Sequence, residues 1–236
     1  GFYISGHPLD EFESTVKLLS THTIEDINNG LDDMMGMNLL FAGVVKNRQE
    51  RYDKKGNKFL IFKIFDYSGD KDFMLFRDDY ERFAGEIKDG SKLFFHAKVE
   101  PIKWGKNEGN PELKLQKIYL MNKLFESNVT GFIAYLQLDE ISSAFTEAVQ
   151  DIVNLNGGDI PLVFSLKENG EDRALKMGSE FLKLSKDGLY KIKQLPEVQA
   201  YSLRNKILKG LTLYERKFDV IPELTDDIEE IVVDDV

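Results

Sequence analysis

The chain has 236 residues, of which 42% are hydrophobic, including 17 Phe and 9 Tyr, enough apolar mass for the cores of one or two ordinary domains. It has no Cys, which removes disulfides, thiolate metal sites and a cysteine nucleophile; that is the habit of a reducing compartment, and the expected location is cytoplasmic. A net charge of −10 and a pI near 4.9 argue against a bulk nucleic-acid binder, and apolar runs as short as Phe59-Leu60-Ile61-Phe62 fall far below a bilayer span, so no membrane role is expected.

In chain order, residues 1–37 read as a helical connecting module, with a Gly6-His7-Pro8 turn followed by Leu9, Phe12, Val16 and Leu19 at three- and four-residue spacing. Asn28-Asn29-Gly30 and Asp32-Asp33 read as a polar break. Residues 38–125 alternate with a period of two. Strands are expected at 39–49, 58–66 and 72–76, with turns at Lys54-Lys55-Gly56-Asn57 and Ser68-Gly69-Asp70. A helix at 79–87 and strands at 92–102 and 112–124 follow, the last two joined by a loop over 104–111. Three strands, a helix and two strands is the order of the OB-fold, a five-stranded barrel that presents its second and third strands and two hairpin loops to oligonucleotides. Residues 126–210 read as a small α+β domain: a strand at 131–138, a helix capped by Asp139 and ending near Leu155, and a hairpin of 161–166 with 174–177 across Glu168-Asn169-Gly170-Glu171. A short strand at 180–184 and a last helix at 189–208 interrupted by Pro196 complete it. Residues 211–236 read as an acidic tail, with Arg216 and Lys217 against nine acidic residues. The expected class is therefore α+β, mainly β: a five-stranded OB-fold barrel followed by a small α+β domain.

Charge is unevenly spread. Between Lys46 and Lys63, seven basic residues face only Glu50 and Asp53, so a basic patch survives inside an acidic protein. Single-stranded DNA is held by cations that track phosphates and by rings on which bases stack. The candidate DNA-binding residues are Arg48, Arg51, Tyr52, Lys54, Lys55 and Lys58 in the first hairpin and Lys103, Trp104 and Lys106 in the last one. The bland alternative is that these are solvated hairpin tips and that Trp104 packs on a neighbouring strand. Of the many Phe residues in the barrel most must be core, with Phe62 and Phe76 as outward-facing candidates. His7, His22 and His96 lack metal-ligand spacing, and His7 is expected to fix a turn by hydrogen bonding. Carboxylate pairs at Asp32-Asp33, Asp78-Asp79, Asp226-Asp227 and Asp234-Asp235 give no converging Mg2+ site, since adjacent strand residues point to opposite faces. No catalytic residue, metal or cofactor is expected. Ile228, Ile231, Val232 and Val233 in the tail are candidates for docking on a partner.

The run Gly1-Phe2-Tyr3-Ile4-Ser5-Gly6-His7-Pro8-Leu9-Asp10, with Gly43-Val44-Val45, Lys54-Lys55-Gly56, Phe65-Asp66-Tyr67-Ser68-Gly69 and Phe76 further on, resembles the carboxy-terminal region of the bacterial DNA polymerase III alpha subunit. The resemblance is specific over residues 1–10, good over 39–124 and thin beyond Ser127. It implies a non-catalytic piece of a longer polymerase, since the family's catalytic carboxylates lie in an upstream palm domain, and the chain's start without Met inside a recognisable motif fits a fragment. It also implies an OB-fold that guides single-stranded template and a last domain of the kind that contacts the clamp-loader tau subunit. Gln116-Lys117-Ile118-Tyr119-Leu120 is similar to the peptides that sliding clamps bind, but it sits inside an expected strand. Two rivals stand beside this reading: an OB module that binds protein and no DNA, and a tRNA-binding OB module, the latter disfavoured because no synthetase motif follows.

Overall fold

The computed structural model describes residues 6–103, 105–168, 171–175 and 182–215. Residues 1–5 of the opening motif, Trp104, the turn at 169–170, residues 176–181 and the tail from 216 onward, including its apolar docking candidates and the pairs Asp226-Asp227 and Asp234-Asp235, lie outside the described residues.

Five strands, β1 (Asn38–Tyr52), β2 (Lys58–Phe65), β3 (Asp70–Phe76), β4 (Lys92–Pro101) and β5 (Pro111–Leu120), pair antiparallel in the order β3-β2-β1-β4-β5. Helix α3 (Arg77–Phe83) stands between β3 and β4, which gives the OB-fold order expected from the sequence. Alternate residues fill the barrel: Leu60, Phe62 and Ile64 from β2, Phe73 and Leu75 from β3, and Phe95, Ala97 and Val99 from β4. Phe62 is therefore core and unavailable to a ligand. β1 departs from simple alternation, because residues 39–45 are buried on both faces. Leu39, Phe41 and Val45 enter the barrel, while Leu40, Ala42 and Val44 enter a second core. Gly43 is required where β1 crosses β2, since a Cβ there would stand 2.0 Å from Ile64 Cγ2.

The second sheet contains β6 (Val129–Gln137), β7 (Gly157–Glu168), β8 (Glu171–Leu175), β10 (Ala200–Asn205) and β11 (Gly210–Glu215) in the order β11-β10-β6-β7-β8, with β9 (Lys183–Leu184) paired to β7. β6 and β7 are parallel, joined by α5 (Ser143–Leu155) in a crossover. Several sequence expectations shift here. Ser142, not Asp139, caps α5, its hydroxyl accepting from Phe145 N at 3.1 Å. The long last helix is instead α6 (Lys186–Gln194), which stops before Pro196, followed by β10. Residues 211–215 of the expected tail belong to β11. Strand β5 ends at Leu120, and Leu124–Asn128 form a short helix, α4. No helix among the described residues is long and apolar enough to cross a membrane.

Residues before β1 are more than a connector. Helix α1 (Glu13–Leu19) is seven residues long, too short to be stable alone, and its last carbonyls need partners. Those partners come from the far end of the chain. Tyr201 Oη donates to the carbonyls of Lys17 at 3.2 Å and Leu18 at 3.0 Å, Tyr214 Oη donates to Leu19 at 3.0 Å, and Lys193 Nζ also reaches Lys17 O. The two tyrosine rings stack at 4.9 Å, and Tyr201 stacks on Phe132 at 5.2 Å. Just beyond α1, the N–H of Thr21 donates to Leu40 O of β1 at 2.8 Å. Leu9, Leu18 and Leu19 share one core with Leu40, Ala42 and Phe94 of the barrel, with Phe132 and Leu203 of the second sheet and with Leu189 of α6.

The polar break at Asn28-Asn29-Gly30 is in fact the end of α2 (Ile24–Gly30). A capping box between Thr23 and Asp26 starts it, and Asp66 in the β2–β3 turn accepts from Ile24 N at 2.9 Å. His7 behaves as expected: its Nδ1 accepts from Leu9 N at 3.1 Å, and its ring lies against Tyr67 at 4.2 Å and edge-on to Phe65 at 5.6 Å.

Burial pushes the phenol pKa values of Tyr201 and Tyr214 up, so both remain donors to α1 well into alkaline solution. Replacing each with Phe should cost about 1–2 kcal/mol in urea unfolding, since a buried carbonyl loses its donor. The sign with pH is fixed. The folded pKa values are raised, so this stability is intact below the ordinary tyrosine value of about 10 and falls above it as the unfolded chain sheds its protons. The Tyr201→Phe/Tyr214→Phe protein should lose less stability between pH 9 and 11 than the parent; equal losses would show that these phenols are not buried in the folded protein.

Candidate nucleic-acid interface

The first hairpin is rigid for its size. Asp53 accepts from Lys55 N at 2.8 Å, Asn57 N at 2.9 Å and Asn57 Nδ2 at 2.9 Å, and Gly56 takes φ +81°, which closes the turn. The hydrogen bonds from Asn57 hold the Asp53 carboxyl below its usual pKa. Lys54 and Lys55 are exposed at the tip. Tyr52 is 66% exposed, with Lys58 Nζ 6.0 Å from its ring centroid.

The pleat divides the predicted cluster. Tyr52 pairs with Lys58 on one face, and Arg51 pairs with Phe59 on the other. Arg48 serves a different purpose. Its Nε donates to Ile87 O at 2.7 Å, its Nη2 meets Glu50 at 2.6 Å, and its backbone N–H donates to Asp89 at 2.9 Å. It fastens β1 to the segment after α3, and its hydrogen bond holds the Glu50 carboxyl below the usual range. Lys103 and Lys106 are exposed in the loop between β4 and β5. Lys98 pairs with Asn38 at the start of β1, whereas the 53–57 turn lies beyond its end, so the register sets the two loops past opposite ends of β1.

What joins that span is the outer face of β1, β2 and β3. In-register rungs place Arg51, Phe59 and Phe76 side by side, then Gln49, Ile61 and Met74, then Lys46, Lys63 and Asp72. Phe59 and Phe76 stack at 5.0 Å; Phe76 is 50% and Met74 59% exposed. Arg51 Nη2 donates to Gln49 Oε1 at 2.7 Å, which spreads its guanidinium along the face. Lys46 Nζ sits 4.7 Å from the Phe65 ring centroid and 3.1 Å from Asp70, and Lys63 Nζ is 3.1 Å from Asp70 and 3.5 Å from Asp72. Those hydrogen bonds hold the Asp70 carboxyl below its ordinary value, and Asp70 in turn raises the Lys63 ammonium.

A β-bulge lets Lys46 share a face with Gln49 and Arg51. The register shifts between Lys46 and Gln49, and Asn47 takes φ +59°. Without it, residues three apart would point to opposite faces. The sequence anticipated Phe76 here but missed Phe59, Ile61, Met74, Lys46 and Lys63. The available signal was the run Phe59-Leu60-Ile61-Phe62, apolar on both faces of a strand with only one face in the barrel.

Elsewhere, an apolar cavity of about 570 Å³ lies between α5 and the second sheet, lined by Leu136, Phe145, Val149, Phe164 and Leu166 among others. The clamp-peptide-like segment around Gln116 lies in β5 with Ile118 buried. Among the described residues no group of three or more His, Asp or Glu side chains is placed to hold a metal ion.

Residues 39–121 match the tRNA_anti-codon family, described as an OB-fold nucleic acid binding domain. DNA polymerase III subunit alpha of Borreliella burgdorferi is 24% identical over 186 residues, which cover 76% of this chain and 15% of that protein. The protein of the same name from Vibrio cholerae is 22% identical over 197 residues, 83% of this chain and 16% of that protein. The chain thus spans under a fifth of the length of these relatives. The small single-stranded DNA-binding protein from Streptomyces coelicolor aligns over 37% of this chain and 94% of its own at 11% identity, with a TM-score of 0.24. Sequence similarity over three quarters of the chain or more, with the OB-fold at 39–121, makes this a homologue of the C-terminal part of the DNA polymerase III alpha subunit.

Proposed function

We propose that this chain is a non-catalytic, cytoplasmic part of a replicative DNA polymerase whose β1–β3 face holds single-stranded template. One observation carries the reading: the stacked Phe59–Phe76 pair stands on an outward strand face with Met74 and Ile61, beside Arg51 and above Lys46 and Lys63. Rings exposed beside cations are what an unpaired, charged, flat-faced polymer requires, and a duplex offers no free base faces to them. Lys54 and Lys55 at the hairpin tip extend the cationic track past Arg51, with Lys103 and Lys106 beyond the other end of β1. The second sheet, where Phe132, Phe164, Tyr201 and Tyr214 are buried rather than presented to solvent, is the proposed tether to other holoenzyme subunits, with the clamp-loader tau subunit as its candidate partner.

A protein-binding OB face is the competing reading. Asp70 and Asp72 offset Lys46 and Lys63 on the same face, and the net charge of the whole chain opposes phosphate. The two readings separate on DNA affinity.

Anisotropy with labelled oligo-dT should show weak binding that falls with salt by roughly 0.7 in log–log slope per phosphate neutralised, and weaker binding still to duplex. Phe59→Ala with Phe76→Ala should cost about 1–3 kcal/mol for each base unstacked. No binding by the parent chain at low salt would retire the DNA role in favour of the protein-binding reading. Capture of tau should survive both Phe changes and the removal of Arg51, Lys54, Lys55 and Lys58.

Catalysis is tested separately. The chain should extend no primed template with Mg2+ and nucleotides, and extension by a purified sample would contradict a non-catalytic role.

A further inference from the structure

We infer that Asp70 fills, with its own carboxylate, a two-lysine phosphate subsite on the β1–β3 face, and so limits how tightly that face grips a nucleic-acid strand. The inference rests on the nucleic-acid reading above and names the group that weakens it. Asp70 Oδ2 takes Lys46 Nζ at 3.1 Å and Oδ1 takes Lys63 Nζ at 3.1 Å, one carboxylate oxygen to each ammonium, as the two non-bridging oxygens of a phosphodiester would.

The lysines are there for a reason other than pairing with each other. Lys46 and Lys63 are directly opposed across β1 and β2, where like charges are unfavourable. Lys46 keeps the phase of Val44 ahead of the bulge, and the bulge at Asn47 brings Gln49 and Arg51 onto the same face. Asp70 makes the pair tolerable in the free protein, and it sits one rung along, opposite Phe65. Its backbone carbonyl is separately engaged by Asn28 Nδ2 at 3.0 Å, so the strand position does not depend on the carboxylate. The Lys63 rung lies four residues along β2 from Phe59, roughly 13 Å at strand rise, within reach of a strand stacked on the Phe59–Phe76 pair. All three side chains are partly solvent-exposed, at 39%, 26% and 42% for Lys46, Lys63 and Asp70, so a phosphate can displace the carboxylate at modest cost. Asp72, 3.5 Å from Lys63 and 70% exposed, is the remaining competitor.

The experiment is Asp70→Asn in the whole chain, titrated against labelled oligo-dT at 50 and 200 mM salt, with thermal unfolding as the check on folding. Affinity should rise about three- to tenfold at the lower salt, less at the higher, with the salt slope steeper by roughly 0.7 for each lysine released. Adding Lys46→Ala and Lys63→Ala to Asp70→Asn should return affinity to the parent's, while the same two changes in the parent should cost less than twofold. Asp70→Glu should behave as the parent. A parent that binds and an Asp70→Asn protein that folds normally but binds equally well, or worse, overturns the inference and leaves the nucleic-acid reading standing. Binding by neither overturns both.

Discussion

Two tyrosine hydroxyls closing the last turn of a seven-residue helix hold this molecule together. α1 has no length to sustain itself, yet its leucines fill the space between the barrel and the second sheet. Its carbonyls are satisfied by Tyr201 and Tyr214, and the Thr21 N–H just beyond it donates to Leu40 O. The barrel face of β1 that would otherwise meet solvent, Leu40, Ala42 and Val44, is covered as a consequence. The chain therefore does not divide into a binding barrel and a detachable tether. Removing everything past Asn128 would uncover those residues together with Leu18 and Leu19, so loss of a function in such a truncation would report on folding. Point substitutions on exposed side chains are the sounder instrument.

The same arrangement decides which face of the barrel is free. β1 and β4 turn one side to α1 and the second sheet through Leu40, Ala42 and Phe94, which leaves the outward side of β1, β2 and β3 as the open surface. The bulge at Asn47 then resets the phase of β1, aligning Lys46 with Arg51 and directing Arg48 inward to Ile87 and Asp89. One extra residue thus converts a basic stretch into two groups with different duties, a structural clamp and a ligand-facing row. Asp70 balances that row in the free protein.

Much of this was legible in the sequence. Turn chemistry at Asp53 to Asn57, period-two burial in β2 and β3, and the helix between β3 and β4 gave the barrel. The pairing of His7-Pro8-Leu9-Asp10 with Phe65-Asp66-Tyr67 has a direct cause, since the His7 ring lies on Tyr67 and Phe65, and the turn carboxylate of Asp66 caps α2. What escaped had local signals outweighed by others. The capping box at Thr23 and Asp26 announced α2, but Asn28-Asn29-Gly30 reads as a break. Pro196 marked the end of α6, yet the apolar residues beyond it have a spacing that suits a helix as well as β10. In the site, sequence identified the cations of the first hairpin and placed them together, whereas the pleat and a bulge with no strong sequence mark separate Tyr52 and Lys58 from Arg51 and withdraw Arg48. The ring pair was half seen: Phe76 was expected to face outward, and its partner Phe59 was absorbed into an apolar run.

The surface on which a nucleic acid would lie is open to direct mapping. Backbone and methyl NMR spectra of the whole chain titrated with oligo-dT should shift at Arg51, Phe59, Ile61, Met74 and Phe76, with Lys46 and Lys63 following, while α5 and β7 stay silent. Shifts concentrated on α5 and the second sheet, with β1–β3 unmoved, would contradict the assignment of that face.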